Sequence, residues 1–139
     1  MASFNKFNSF VADVANKVHN LGSDALKIYL TNTAPSSANT VYNTPADLST
    51  ANGYTAGGAA CTATSSAQSS GTYKLIVPVV SWTASGGSIG PFQYAVLYNN
   101  TAGSKQLIGW WDYGTGLTLT TGNTFTVSTD QTNGVLQLV

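Results

Sequence analysis

Residues 108–114 read IGWWDYG, two adjacent tryptophans followed at once by an aspartate and a tyrosine. Successive side chains of a β-strand point to opposite faces. Trp110 and Asp112 therefore share one face, while Trp111 and Tyr113 share the other with Gly109. One indole then anchors an interior, with Phe92, Tyr94, Val96 or their alternates on a partner strand. The other stands on the outer face, where an uncovered indole is costly. Its cover is the expected N-terminal helix, the excursion at residues 32–50, a second subunit or a planar ligand such as a sugar. Intramolecular cover ranks first, a subunit interface second and a sugar third.

The flanking sequence carries the same β signature. Asn52-Gly53 and Gly57-Gly58 precede a strand expected over residues 59–68, and Ser69-Ser70-Gly71 turns into another over 73–82. Pro78 lies inside that second run and places an edge or a bulge there. Further strands are expected over 92–98, 106–113, 117–120 and 125–128, with a closing VLQLV after Asn133-Gly134. Residues 24–31, DALKIYLT, add one more, with Leu26, Ile28 and Leu30 on one face. Seven or eight short strands with turn signals between them predict a mainly β, antiparallel sandwich or jelly roll.

Ahead of these strands the period changes. Phe4, Phe7, Val11, Val14 and Val18 recur at steps of three and four, with Phe10 at the edge of the stripe. The spacing predicts an amphipathic helix over residues 3–21, stopped by Gly22. Its apolar face must pack on the chain's own sheet or on a neighbouring subunit. Phe4, Phe7, Val11 and Val14, together with Trp110, Trp111 and Tyr113, are thus the candidate interface residues. The expected organisation is a single domain of residues 1–139: helix 3–21, a long Pro-punctuated loop over 32–52 and a β core over 53–139. Long loops in compact domains are usually functional or interface-forming.

Composition narrows the function. Only 7% of the 139 residues are charged, against roughly a quarter in ordinary globular proteins. All five acids are Asp, all five bases are Lys, and the net charge is zero. The lysines are scattered, which argues against a nucleic-acid partner. No stretch approaches the roughly 18 apolar residues of a membrane span. The N-terminal MASFNKFNSFVADV has no continuous apolar core of a secretory signal, so synthesis as a soluble protein in a cytoplasm is expected. A surface of Thr, Ser and Asn also lacks the charge that discourages self-association.

Catalytic chemistry finds little to work with. Cys61 is the only cysteine, so no internal disulfide and no cysteine-based metal site is expected, and its alternating AACTATS context reads as small and buried. His19 is the only histidine, and at the end of the expected helix it reads as a capping or surface residue. Glycoside hydrolysis needs two carboxylates close together, and only Asp112 sits among aromatics. Asp130 reads as a turn residue, and Asp47 and Asp24 as turn or strand-entry residues. GGSIG at 86–90 spaces its glycines between two β segments, whereas a dinucleotide fingerprint must open a helix. Asn99-Asn100-Thr101 matches a glycosylation sequon, a chance match in so Asn/Thr-rich a chain. No enzyme activity, cofactor or metal is expected.

The order FNKFNSFVADVANKVHNLGSDALKIYLTNTAP, NGYTAGG, SGTYKLIV, WTASGGSIGPFQYAVLYN and LIGWWDYG resembles a family of small tailed-bacteriophage virion structural proteins. The similarity spans nearly the whole chain, is most specific in SGGSIGPFQYAVLYN and LIGWWDYG, and is weakest over residues 36–50. The resemblance implies a capsid decoration, or cement, protein on the phage head, made in the host cytoplasm. Its partners would be the major capsid protein and further copies of itself, as a dimer or trimer, with a surface glycan as a third partner. A tail-associated role and a carbohydrate-binding module are the alternatives. The resemblance brings no catalytic residue with it.

Overall fold

The IGWWDYG stretch lies in the longest strand of a computed structural model that describes residues 2–139. In chain order the elements are β1 (Phe4–Lys6), α1 (Ser9–Ala15), β2 (Leu26–Thr31), β3 (Ala59–Ala60) and β4 (Ser65–Ser69). They continue with β5 (Thr72–Ile76), β6 (Val80–Thr83), β7 (Ile89–Asn99), β8 (Leu107–Leu119), β9 (Thr124–Val127) and β10 (Leu136–Leu138). A single 3-10 turn, Thr44–Ala46, interrupts the long excursion after β2. The fold is mainly β, and its strand pairs are antiparallel.

From β5 onward the pairing is nested: β7 pairs with β8, β6 with β9 and β5 with β10. That is the pattern of a long hairpin rolled over on itself, as in a jelly roll. The largest sheet has the order β1-β8-β7-β2-β3, and β10-β5-β4 and β6-β9 form two smaller sheets. One face of the large sheet presents Leu26, Ile28, Leu30, Phe92, Ala95, Leu97 and Trp111 to Leu75, Val80, Trp82 and Val127 of the smaller sheets. This is the main core of the sandwich.

The opposite face is also covered. Tyr29, Val96, Tyr98 and Leu107 form a second apolar cluster with Phe7, and Tyr42 and Trp110 pack against it. Burial on both faces explains why β2 and the second half of β7 read as nearly continuous apolar runs rather than alternating ones. Among the described residues, no helix is long and apolar enough to cross a membrane.

Several expectations about elements need correction. The helix expected over 3–21 is a strand followed by a helix of seven residues. Phe4 pairs with Trp111 in the sheet, and pairing with β8 overrides the helical period. Gly22 does not end the helix. The stop is a Schellman-type motif in which Val18 N donates to Asp13 O at 2.9 Å and Lys17 N to Val14 O at 3.4 Å. Lys17 takes the positive φ, 61°, that usually signals glycine.

The run expected over 73–82 is two strands in different sheets, because the chain turns a corner through Val77-Pro78-Val79. The run over 59–68 is likewise split, into β3 and β4. Conversely, Gly114-Thr115-Gly116 does not interrupt the chain, and β8 continues through it to Leu119. The described residues thus hold ten strands, against seven or eight expected.

Candidate functional site

The two tryptophans are held by two phenylalanines from the N-terminal segment. The Phe4 ring lies 4.9 Å from Trp111 on the main-core side. Gly109 makes that seat, since a Cβ there would stand 2.2 Å from Phe4 Cζ and 2.5 Å from Asn5 O. Phe7 crosses to the other face and lies 4.5 Å from Trp110. Trp111 is buried and Trp110 half-buried, so the outward indole is Trp110 and its cover is intramolecular. The N-terminal segment clamps β8 from both sides.

The candidate interface residues therefore separate. Phe4 and Trp111 belong to the main core, Phe7 and Trp110 to the second cluster. Tyr113 is partly buried against the main core, 5.0 Å from the Phe125 ring and edge-on to it. Only Val11 is well exposed, at 56%. Val11 and Val14 join Phe10, Leu136 and Leu138 in lining a shallow, largely apolar groove of about 360 Å³. Phe7 does not share their face. Phe10, expected only at the edge of the stripe, is the helix's buried residue.

The excursion after β2 is organised by Asp47. Its carboxylate accepts from Tyr42 Oη at 2.7 Å, from the Gly57 amide at 2.5 Å and from Tyr54 Oη. The Leu30 amide donates to Tyr54 Oη at 3.0 Å, and Tyr98 Oη donates to Gly57 O at 2.8 Å. The Tyr42 ring stacks on Tyr98 at 4.8 Å and meets Tyr29 edge-on at 5.1 Å, with the Lys105 ammonium 5.4 Å from its centroid. Burial, followed by the bond to Asp47, raises the Tyr42 and Tyr54 phenols far above their ordinary value. They remain donors to a carboxylate, and the arrangement pins a loop to a sheet.

Beside this cluster runs a groove of about 420 Å³ between the excursion and the outer face of the large sheet. Phe7, Tyr29 and Leu107 lie at its base, and Thr33, Ser36, Asn39, Thr40 and Asn43 are among its polar lining residues. Among the described residues, none with a charged side chain lines it. The sequence pointed to the excursion as a place of interest but not to the tyrosine cluster. Its four tyrosines are spread from residue 29 to residue 98 and meet only through the β2–β7 pairing and the folding back of the loop.

The remaining polar residues take structural places. Cys61 is fully buried, and burial pushes its thiol up to about 12. Asp112 is exposed, held by Gln93 Nε2 at 3.0 Å and the Gly114 amide at 2.7 Å, and both bonds keep its carboxyl below the ordinary value. Asp130 caps a turn by accepting from the Asn133 and Thr132 amides at 2.7 and 2.8 Å. Asn99, the sequon asparagine, is fully buried with its side chain hydrogen-bonded throughout. His19 is neither a cap nor a surface residue: α1 ends four residues before it, and its ring lies half-buried, 5.3 Å from that of Phe10. No protein-family model, curated protein or solved structure matches this chain.

Proposed function

We propose that this protein is a structural component of a tailed-phage virion, a decoration protein that binds the assembled head and stabilises it. The observation that carries the reading is where the resemblance falls. Its most specific segments, SGGSIGPFQYAVLYN and LIGWWDYG, lead into and occupy β7 and β8, the innermost hairpin of the nested ribbon. The likeness therefore lies in scaffold rather than around a cleft, as suits a building block whose function resides in its surfaces. The exposed apolar strip of Val11 and Leu138 supplies a place for contact with the shell or with another copy.

The test is quantitative mass spectrometry of fractionated virions, with heads separated from tails. A copy number close to that of the major capsid protein on tail-free heads is the expected result. Absence from such heads would overturn the reading, and recovery from tails alone would select a tail-associated role.

The uncharged groove lined by Thr33, Ser36, Asn39, Thr40 and Asn43 favours a second reading, in which the virion surface holds a neutral glycan. Covered as they are, Trp110 and Trp111 do not supply that stacking platform. A glycan array without hits, or binding unchanged by Asn39→Ala and Thr40→Ala, would dismiss it.

A further inference from the structure

The only histidine of the chain meets the most heavily used polar side chain of the fold. Asn99 is fully buried at the end of β7. Its Oδ1 accepts from the Thr101 amide at 2.9 Å and the Ala102 amide at 3.1 Å. Two backbone donors on one oxygen fix the amide's orientation, because the flipped amide would turn its NH2 toward two N–H groups. Asn99 Nδ2 is therefore the donor side. It gives one hydrogen bond to Asp24 Oδ2 at 2.5 Å and points the other at His19 Nδ1, 3.0 Å away.

That orientation dictates the state of the imidazole. Facing an N–H donor, Nδ1 must be the bare, accepting nitrogen, so the ring is neutral and carries its proton on Nε2. Nε2 is buried and has no hydrogen-bond partner among the described residues. Asn99 is thus the ring's one hydrogen-bonded anchor. Phe10 of α1 gives it an apolar neighbour at 5.3 Å. The charged groups that face it are Asp13 from α1 and Asp24 from the segment before β2.

We propose that His19 and Asn99 form a proton-operated latch on the connection between α1 and β2. The neutral imidazole accepts from Asn99 and holds residues 16–19 against the end of β7. When Nδ1 takes a proton from solvent, two N–H donors face each other, Asn99 cannot turn to answer, and the bond is lost. The neighbouring attachments do not use the imidazole. Asn20 N still donates to Asp24 Oδ2, Ala25 N to Thr101 Oγ1 and Asn100 N to Ala25 O. Release is consequently confined to residues 16–19 and to the cover over Phe10, and the sheet stays paired.

Burial, the larger influence, lowers the His19 pKa, while Asp13 and Asp24 raise it by smaller amounts. A lowered value means that the unfolded or released segment binds the proton more readily than the latched one. Stability from the latch is complete above the ordinary histidine value of about 6.5 and is lost as pH falls through the depressed one. Asp112 and Asp130, the two exposed carboxyls held below their ordinary values, do not titrate in this window.

A single histidine makes the test direct. Long-range proton–nitrogen correlation spectra of the whole chain report the tautomer near neutral pH and the midpoint on acidification. Hydrogen exchange over residues 16–19 is followed through the same titration. The expected result is an Nε2–H tautomer, a midpoint below 6.5, and protection at 16–19 that falls with the ring's titration by up to about tenfold per pH unit after correction for intrinsic exchange. His19→Gln abolishes that step. An Nδ1–H tautomer, a midpoint at or above 6.5, or protection indifferent to the titration would overturn the latch. All three readings come from the unsubstituted protein, so the test survives a variant that fails to fold.

Discussion

Replacing Phe7 by alanine, beside the same change at Val11, tests the N-terminal clamp. A helix over residues 3–21 would place both side chains on one stripe and make the two substitutions comparable. In the fold they are opposites: Phe7 is 0% exposed and Val11 56%. Truncating a fully buried phenylalanine costs about 3–5 kcal/mol, and here it also strips the ring that lies 4.5 Å from Trp110. Truncating a mostly exposed valine stays within about 0.5 kcal/mol. For a chain of this size each kcal/mol moves the melting temperature by roughly 3 °C. Phe7→Ala should therefore melt about 10–15 °C lower, and Val11→Ala should be nearly unchanged. Tryptophan emission gives a second readout. Trp82 and Trp111 are buried in the main core, so a red shift in folded Phe7→Ala reports Trp110 losing its cover. Equal melting shifts for the two variants, or an unshifted spectrum in Phe7→Ala, would refute the clamp.

Three further outcomes follow from the same geometry. Asp47→Ala leaves two phenols and the Gly57 amide without their acceptor, and should lower stability by about 3 kcal/mol in urea melts, with the largest exchange increase over residues 41–57. Burial pushes Tyr98 and Tyr113 up to about 12. Folded phenols that hold their protons longer than unfolded ones give stability that is complete below about pH 10 and lost as pH rises toward 12, which an alkaline series of melts will show. Cys61 should be inert to a thiol reagent at pH 8 in the folded protein and react stoichiometrically after denaturation. Reaction at full rate without denaturant would contradict its burial.

Much of the β core was legible because it rests on local chemistry. Paired small residues such as Asn52-Gly53 and Asn133-Gly134 mark turns wherever they occur, and the alternation Trp110/Trp111 assigns faces without knowledge of partners. The N-terminal segment was not legible in the same way. Phe4, Phe7, Val11 and Val14 satisfy a helical period, but Gly109, more than a hundred residues away, leaves the space that draws Phe4 into the sheet. Lys17 ends the helix in a conformation that its side chain does not advertise. Pro78 signalled a disturbance correctly, but whether a proline bulges a strand or turns it into another sheet depends on what waits beyond it, here β9 for Val80–Thr83. Asp47 looked like an ordinary turn residue because its partners lie on a returning loop. Its donors Tyr42, Tyr54 and Gly57 all lie within ten residues of it, but at irregular steps that match no regular element.

The nested pairing of β7–β8, β6–β9 and β5–β10 also sets a timetable. Each outer pair closes a longer loop than the one inside it, so the innermost hairpin forms at the least entropic cost and the outer strands zip on afterward. On a translating ribosome the order of appearance runs the other way for the leading half. β5 emerges well before its partner β10 and waits for it. Through that interval Leu75, wholly buried in the finished fold and paired there with Leu136, has no cover from its final partner strand. Slowing synthesis between residues 76 and 136 should therefore lengthen the life of an open, aggregation-prone edge, and rapid synthesis of that stretch protects it.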